Sequence, residues 1–349
     1  MQETTKVLLK AYTEEVAKQN GVGCATEMFS VSPNATQRLI GAIRESNWFY
    51  KVINVVPVKA QKGEAIGLSV TGMIAGRTDT SGDGERKPKE HHGSKAMPYM
   101  CEQTNFDTAI RYAKLDAWAH LKNFAKIVSD HTRKQIDANK ITIGWYGESV
   151  EATTNSKTNP NGEDVNIGWF QAMRDNNAAR FIESGATADE IRIGVGSDSA
   201  KADFINLDSA VLNVKNLLHP ACENDADLVA IIGSDLLAYE KAKFYDTHGN
   251  TPSEKGKIQE KQVIGTYGGL PSVSVPGFPS TGIMVTSYDN LSIYIQEGSV
   301  RRSVGKKNDA KDQVENFESM NIAYVIEQLE KAAALEFKNV KLWIGDAWV

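Results

Sequence analysis

Val7, Leu8, Tyr12 and Val16 recur near helical spacing, with Lys6, Lys10, Glu14, Glu15 and Lys18 between them. That pattern predicts an amphipathic helix at the start of the chain, ended by Gly21 and Gly23. A second helix is expected over residues 34–46, where Leu39, Ile40 and Ile43 share one side and Ser32-Pro33 is the start signal. The first helix is short and is followed by glycines, so it reads either as ordinary core packing or as an arm that docks elsewhere. Residues 52–58 form a strand-like run, Val-Ile-Asn-Val-Val-Pro-Val. Then the pattern lapses. Residues 59–98 are rich in glycine, and only two short pieces, 66–70 and 73–75, look β-like. A stretch of about 40 residues with so little to bury is unusual inside a compact domain. An extended hairpin whose partner lies on another chain explains it better than a linker, because strand-like pieces serve no purpose in a linker.

Beyond Cys101 the period changes. Trp118, Leu121, Ala125, Val128 and Thr132 recur every three to four residues, with Lys122, Asn123, Lys126, Asp130, Arg133 and Lys134 opposite. One long helix is predicted over residues 116–143, stopping at Gly144, roughly 40 Å in length. A polar loop (153–164), a short helix (169–175), a strand (191–193) and a helix (207–218, ended by His219-Pro220) follow. Residues 227–232 read as a buried strand that turns at Gly233-Ser234 into a helix over 235–244, with Ser234 as its N-cap. Strands are then expected at 272–275, 283–286 and 291–295, and near 300–304 and 321–326. The class is α+β, with a small α/β portion in the middle third.

Composition narrows the roles. The 349 residues hold 41% apolar side chains and 28 glycines, enough for a real core in two ordinary domains or one large one. A net charge of −5 argues against a protein that grips nucleic acid through its phosphates. Cys24, Cys101 and Cys222 are far apart and show no CxxC spacing, which points to a reducing compartment. No apolar run reaches the roughly 18 residues of a membrane helix, and residues 1–6 carry no signal-peptide pattern. Secretion and membrane residence are not expected.

Candidate chemistry is sparse. The turn Gly194-Val195-Gly196 follows a strand but lacks the third glycine and the acidic ribose partner of a dinucleotide loop. The Gly233-Ser234 turn could aim a helix N-terminus at an anion, although such units more often only pack a core. His91-His92 has no partner at metal-ligand spacing, and His120 with Asp116 makes one pair where zinc needs three or four ligands. There is no GxxxxGK[ST], HExxH or GxSxG motif. No catalytic, cofactor-binding or metal-ligating residue is nominated. Arg301-Arg302 with Lys306-Lys307 forms a basic patch, either a solvated turn or an intersubunit or phosphate contact.

An ordered series of segments carries a family resemblance. It runs through Ile53-Asn54-Val55-Val56-Pro57-Val58, Gly63-Glu64-Ala65-Ile66-Gly67, Glu85-Arg86-Lys87-Pro88-Lys89, Asn105-Phe106-Asp107, Gly168-Trp169-Phe170-Gln171, Asn290-Leu291-Ser292-Ile293-Tyr294 and Val314-Glu315-Asn316-Phe317-Glu318-Ser319-Met320. The chain resembles the major capsid proteins of peduovirus-type (P-two-like) tailed phages, almost end to end. Residues 22–28 and 184–199 match less well. The resemblance implies the Hong Kong-type capsid fold: an N-terminal arm (1–55), an extended β-hairpin loop (56–104), a peripheral domain with a long spine helix (105–203 and 297–349) and an axial domain (204–296).

It also implies a structural protein and no enzyme, without cofactor or metal. Hexamers and pentamers would form an icosahedral virion shell around double-stranded DNA, without sequence-specific binding and with no membrane. Assembly in the host bacterial cytoplasm would start from a procapsid that expands. Partners would be the protein itself, an internal scaffold and maturation protease, and a portal at one vertex. Protease trimming of the arm would fall before Ile53, near residues 29–32. Arg77, Arg86, Lys87 and Lys89 are the candidates for reaching carboxylates on a neighbour across the extended loop. Arg301, Arg302 and Glu318 are the candidates for contacts around local three-fold axes. An encapsulin-like compartment is the alternative within the fold, and an α/β enzyme built on Gly233-Ser234 is the alternative outside it.

Overall fold

The computed structural model describes residues 1–31, 36, 47–65, 75, 77–81, 85–86, 97–121, 123–195, 201–248, 265–344 and 347–349. The first half runs α1 (Glu3–Asn20), β1 (Phe29–Ser30), α2 (Trp48–Val52), β2 (Asn54–Val58), β3 (Lys62–Ala65), β4 (Met97–Met100), β5 (Glu102–Asn105), β6 (Thr108–Arg111), α3 (Tyr112–Trp118), α4 (Phe124–Tyr146) and α5 (Trp169–Asn176). The second continues β7 (Phe181–Ile182), β8 (Ile191–Ile193), α6 (Leu207–Asn216), β9 (Val229–Ile232), α7 (Ser234–His248), β10 (Thr266–Tyr267), β11 (Leu270–Val273), β12 (Ile283–Thr286), β13 (Leu291–Gln296), β14 (Arg301–Asn308), β15 (Gln313–Ile326), β16 (Ala333–Leu335), β17 (Val340–Ile344) and β18 (Ala347–Trp348).

The 14-residue strand β15 organises the larger sheet. One of its edges carries β14 and then β13, antiparallel, and the other carries β6 and then β5. Outside these, β1 pairs with β14, and β2 runs parallel to β13. Helices α4 and α5 supply the rings that cover this sheet. Trp145 and Trp169 lie 4.5 Å apart, with Phe49, Phe170, Phe278 and Tyr324 at their edges. The Trp169 indole N–H donates to two strand carbonyls, those of Ser292 and Val325. Tyr50 and Tyr324 donate their hydroxyls to the Asp137 and Lys140 carbonyls of α4, both at 2.7 Å. Each buried ring contributes roughly 1.5–3 kcal/mol through area removed from water, and the polar tips of Trp169, Tyr50 and Tyr324 are satisfied as well.

The second sheet has the order β10-β11-β9-β12-β16-β7 and takes strands from well-separated parts of the chain. Strand β9 is buried along its whole length, as its unbroken apolar run requires. Helix α6 packs Leu207, Val211 and Val214 into the core that also holds the strand residues Ala230, Ile232 and Val285. Asn206 caps α6, accepting from the Ser209 N–H in a reciprocal capping box.

Several expectations are corrected. The helix expected over 116–143 is two helices. α3 ends at Trp118, and a turn precedes α4 at Phe124, so that Leu115 and Phe124 both face the small core holding Leu9, Ile110 and Val314. Gly144 does not stop α4. A Cβ there would meet the Trp169 ring at 2.7 Å and the Tyr324 ring at 2.9 Å, so glycine serves close packing, and α4 runs on to Tyr146. Its 23 residues span roughly 35 Å. Ser234 is the first residue of α7 and not its N-cap. The strand expected at 321–326 is the end of the longer β15, and β11 lies two residues upstream of the expected 272–275. The helix expected over 34–46 lies outside the described residues, apart from Thr36.

Candidate assembly surfaces

The start of the chain is docked along the larger sheet. Leu9 of α1 is buried with Ile110, Leu115, Phe124, Val128 and Val314. The Gln2 N–H and the Thr5 hydroxyl donate to Asp116 Oδ1 at 2.9 and 2.5 Å. These bonds, Thr5 first, hold the Asp116 carboxyl below its ordinary pKa. Gly21 closes α1 in the left-handed region at φ +68°. Beyond it the chain fastens to the outer side of β14. The Val304 N–H donates to the Ala25 carbonyl, the Ser303 hydroxyl to the Thr26 carbonyl, and the Val31 N–H to the Val300 carbonyl. Gly305, at φ +81°, allows α1 this approach, since a Cβ there would meet the Thr13 methyl at 2.4 Å.

The hairpin is described at its base. β3 and β4 pair antiparallel from Lys62↔Met100 to Ala65↔Met97, with Ala65 and Met97 buried. Tyr99 anchors the base by an edge-on contact with Tyr294, ring centres 4.9 Å apart. The Tyr294 hydroxyl donates to Glu327 at 2.8 Å, and burial with that carboxylate raises its pKa well above the ordinary value. Arg77 and Arg86 are exposed, with no ion-pair partner among the described residues. Lys87, Lys89 and, apart from Ala75, the β-like stretches expected at 66–70 and 73–75 lie outside the described residues.

The basic patch divides. Arg302 faces Glu318 across β14 and β15, with Nε 2.8 Å from Oε2, so these two charges meet within one chain. Arg301, opposite Ser319, is exposed. Two charged sites were not singled out by sequence reasoning. Arg174 makes a two-pronged pair with Glu336, at 2.6 and 2.8 Å, and lies over the Phe181 and Phe337 rings. Lys140 is 2% exposed, one turn along α4 from the buried Asp137. Only the second left a local signal, an i,i+3 Asp–Lys pair.

The turn at Gly233 is filled by the chain itself. The Asp235 N–H donates to the Ser280 carbonyl, and a Cβ on Gly233 would lie 2.1 Å from that oxygen. The first turn of α7 is therefore closed off from an anion. Gly194 packs against the Tyr239 hydroxyl, and Gly196 lies outside the described residues. His120 is exposed, while Asp116 is engaged by Thr5. Among the described residues, no group of three or more His, Cys, Asp or Glu is placed to hold a metal, and no helix is long and apolar enough to cross a membrane.

A family model described as phage major capsid protein, P2 family, matches residues 8–337. The capsid protein of Escherichia phage P2 is 37% identical, over 99% of this chain and 96% of its own length. The major capsid protein of Serratia phage KSP20 is 29% identical, over 96% and 97%. Among solved structures, a chain of the satellite phage P4 procapsid, which includes the size determination (Sid) protein, matches with a TM-score of 0.75 at 35% identity, covering 98% of this chain and 99% of that one.

Proposed function

The chain belongs to the P2 family of phage major capsid proteins and has the Hong Kong-type capsid fold, and from that premise we propose how it builds the shell. It is a component of the virion. Its copies form hexamers and pentamers that close an icosahedral head around double-stranded DNA, held without sequence-specific contacts. Residues 1–55 act as an arm, 56–104 as the extended loop, 105–203 with 297–349 as the peripheral domain, and 204–296 as the axial domain. Assembly takes place in the host cytoplasm around an internal scaffold, with a portal at one vertex. The resulting procapsid then expands as a protease trims the arm. A procapsid stage is in keeping with the likeness to a chain of the satellite phage P4 procapsid.

The observation that carries the reading is the hairpin base. A two-stranded stem anchored by Tyr99 leads into a polar, cationic segment in which Arg77 and Arg86 find no carboxylate on their own chain among the described residues. Arg77, Arg86, Lys87 and Lys89 reach carboxylates of a neighbouring copy, and Arg301, exposed on β14, serves peripheral contacts. Each exposed pair contributes about 0–1 kcal/mol. Repetition over the lattice turns such small terms into a stable shell. Deleting residues 81–89 should leave a folded subunit that makes no stable shells. Intact shells from that deletion, seen by electron microscopy, would refute the role given to the loop.

A further inference from the structure

Beneath α1, between α4 and the β14–β15 pair, lies a cavity of about 30 Å³. That is room for one or two water-sized occupants. Tyr12 of α1 and Ser129 of α4 form part of its wall. The other lining groups of interest are charged: Lys140, Arg133 and Arg302 against Asp137 and Glu318.

Lys140 sets the problem. Its side chain is only 2% exposed, yet its nearest carboxylate oxygen, on Asp137, is 4.0 Å away. Its other neighbour is the Phe106 ring, 5.2 Å from the ammonium. Among the described residues no hydrogen-bond acceptor reaches the ammonium. The charged groups acting on it are Glu318, Asp137, Arg302 and Arg133. Counting Lys140 itself, three cations stand against two carboxylates. Glu318 is engaged by Arg302 at 2.8 Å. Asp107, the other acidic group nearby, is exposed and does not line the cavity. A buried cation without close acceptors is costly, and one small negative charge in the cavity would balance the site.

We propose that this cavity binds a small monovalent anion of halide size, held by Lys140, Arg133 and Arg302 between α1 and α4. The bound anion ties the arm to the long helix, because Tyr12 and Lys140 wall the same space. The inference does not depend on how the shell is built, since every group belongs to one chain.

The test uses the purified full-length chain in sodium gluconate, with chloride or bromide introduced at constant ionic strength. Apparent Tm should rise saturably, by about 2–4 °C at excess halide. Lys140→Met, which fills the space with an apolar chain, should fold and lose that response. Glu318→Gln removes a competing negative charge and should reach half-saturation at several-fold lower halide. The proposal is overturned if the unaltered protein shows no saturable halide response, or if Lys140→Met responds equally. Should Lys140→Met fail to fold, Glu318→Gln decides alone: an unchanged or weakened halide response overturns the proposal.

Discussion

Replacing Leu9 with alanine should loosen α1 while leaving the sheets intact. Leu9 is 3% exposed and is the fully buried apolar side chain that α1 contributes to the cluster of Ile110, Leu115, Phe124, Val128 and Val314. Truncating a buried leucine costs about 2–5 kcal/mol, the upper part of that range applying where the cavity cannot collapse. Here α3 and α4 hold two sides of the cluster, so relaxation falls to α1. An 18-residue helix of ordinary composition is marginal in water on its own, so docking energy lost is helicity lost. At 1.4 kcal/mol per tenfold, amide protection in α1 should fall by roughly 30-fold to a few thousand-fold, limited by the total docking energy. Hydrogen exchange read by mass spectrometry on the full chain measures this directly. Protection in β13 and β15 should stay within about threefold of the parent, about 0.7 kcal/mol by the same conversion. Unchanged protection across residues 3–20, or an equal loss in β15, would refute the reasoning.

Other outcomes follow from single contacts. The Asp116 pKa is lowered in the folded protein, so its hold on Thr5 and Gln2 is present above the ordinary carboxyl value and is lost as pH falls through the lowered one. Pepsin cleavage within α1 should therefore rise steeply below about pH 4, and Asp116→Asn should flatten that profile. Gly144→Ala should lower Tm, because overpacking against Trp169 and Tyr324 costs roughly 1–3 kcal/mol or more against a helix-propensity gain of about 1 kcal/mol; a raised Tm would count against the packing argument. Glu336→Gln leaves the partly buried Arg174 without its two-pronged partner and should cost about 3 kcal/mol in thermal unfolding. The double replacement Arg174→Met with Glu336→Leu should recover most of that loss.

Legibility varied with the range of the interactions. Strands 191–193 and 283–286 match β8 and β12, and the α1 stop at Gly21 matches as well, because their signals are local: apolar runs and a glycine able to adopt positive φ. The break between α3 and α4 carried no glycine or proline to announce it. Its cause is a shared core with Leu9 and Val314, far away in sequence. Gly144 misled for the same reason, since its role is set by Trp169 and Tyr324. Of the candidate contact residues, Arg302 and Glu318 were legible as charged positions but not as each other's partners, because their pairing depends on the β14–β15 register.

The parallel pairing of β2 with β13 sets a schedule for biosynthesis. Asn54 donates its side-chain amide to the Asp289 carbonyl, 235 residues further along. At about 5–20 residues per second, β2 waits roughly 12–47 s on the ribosome before its partner strand exists. Val55 and Ile53, both buried at the end, are exposed throughout that interval. β5 and β6 wait in the same way for β15. The larger sheet is therefore a late event, closed only when the last quarter of the chain emerges, and nascent chains are most open to chaperones and to wrong partners just before it closes.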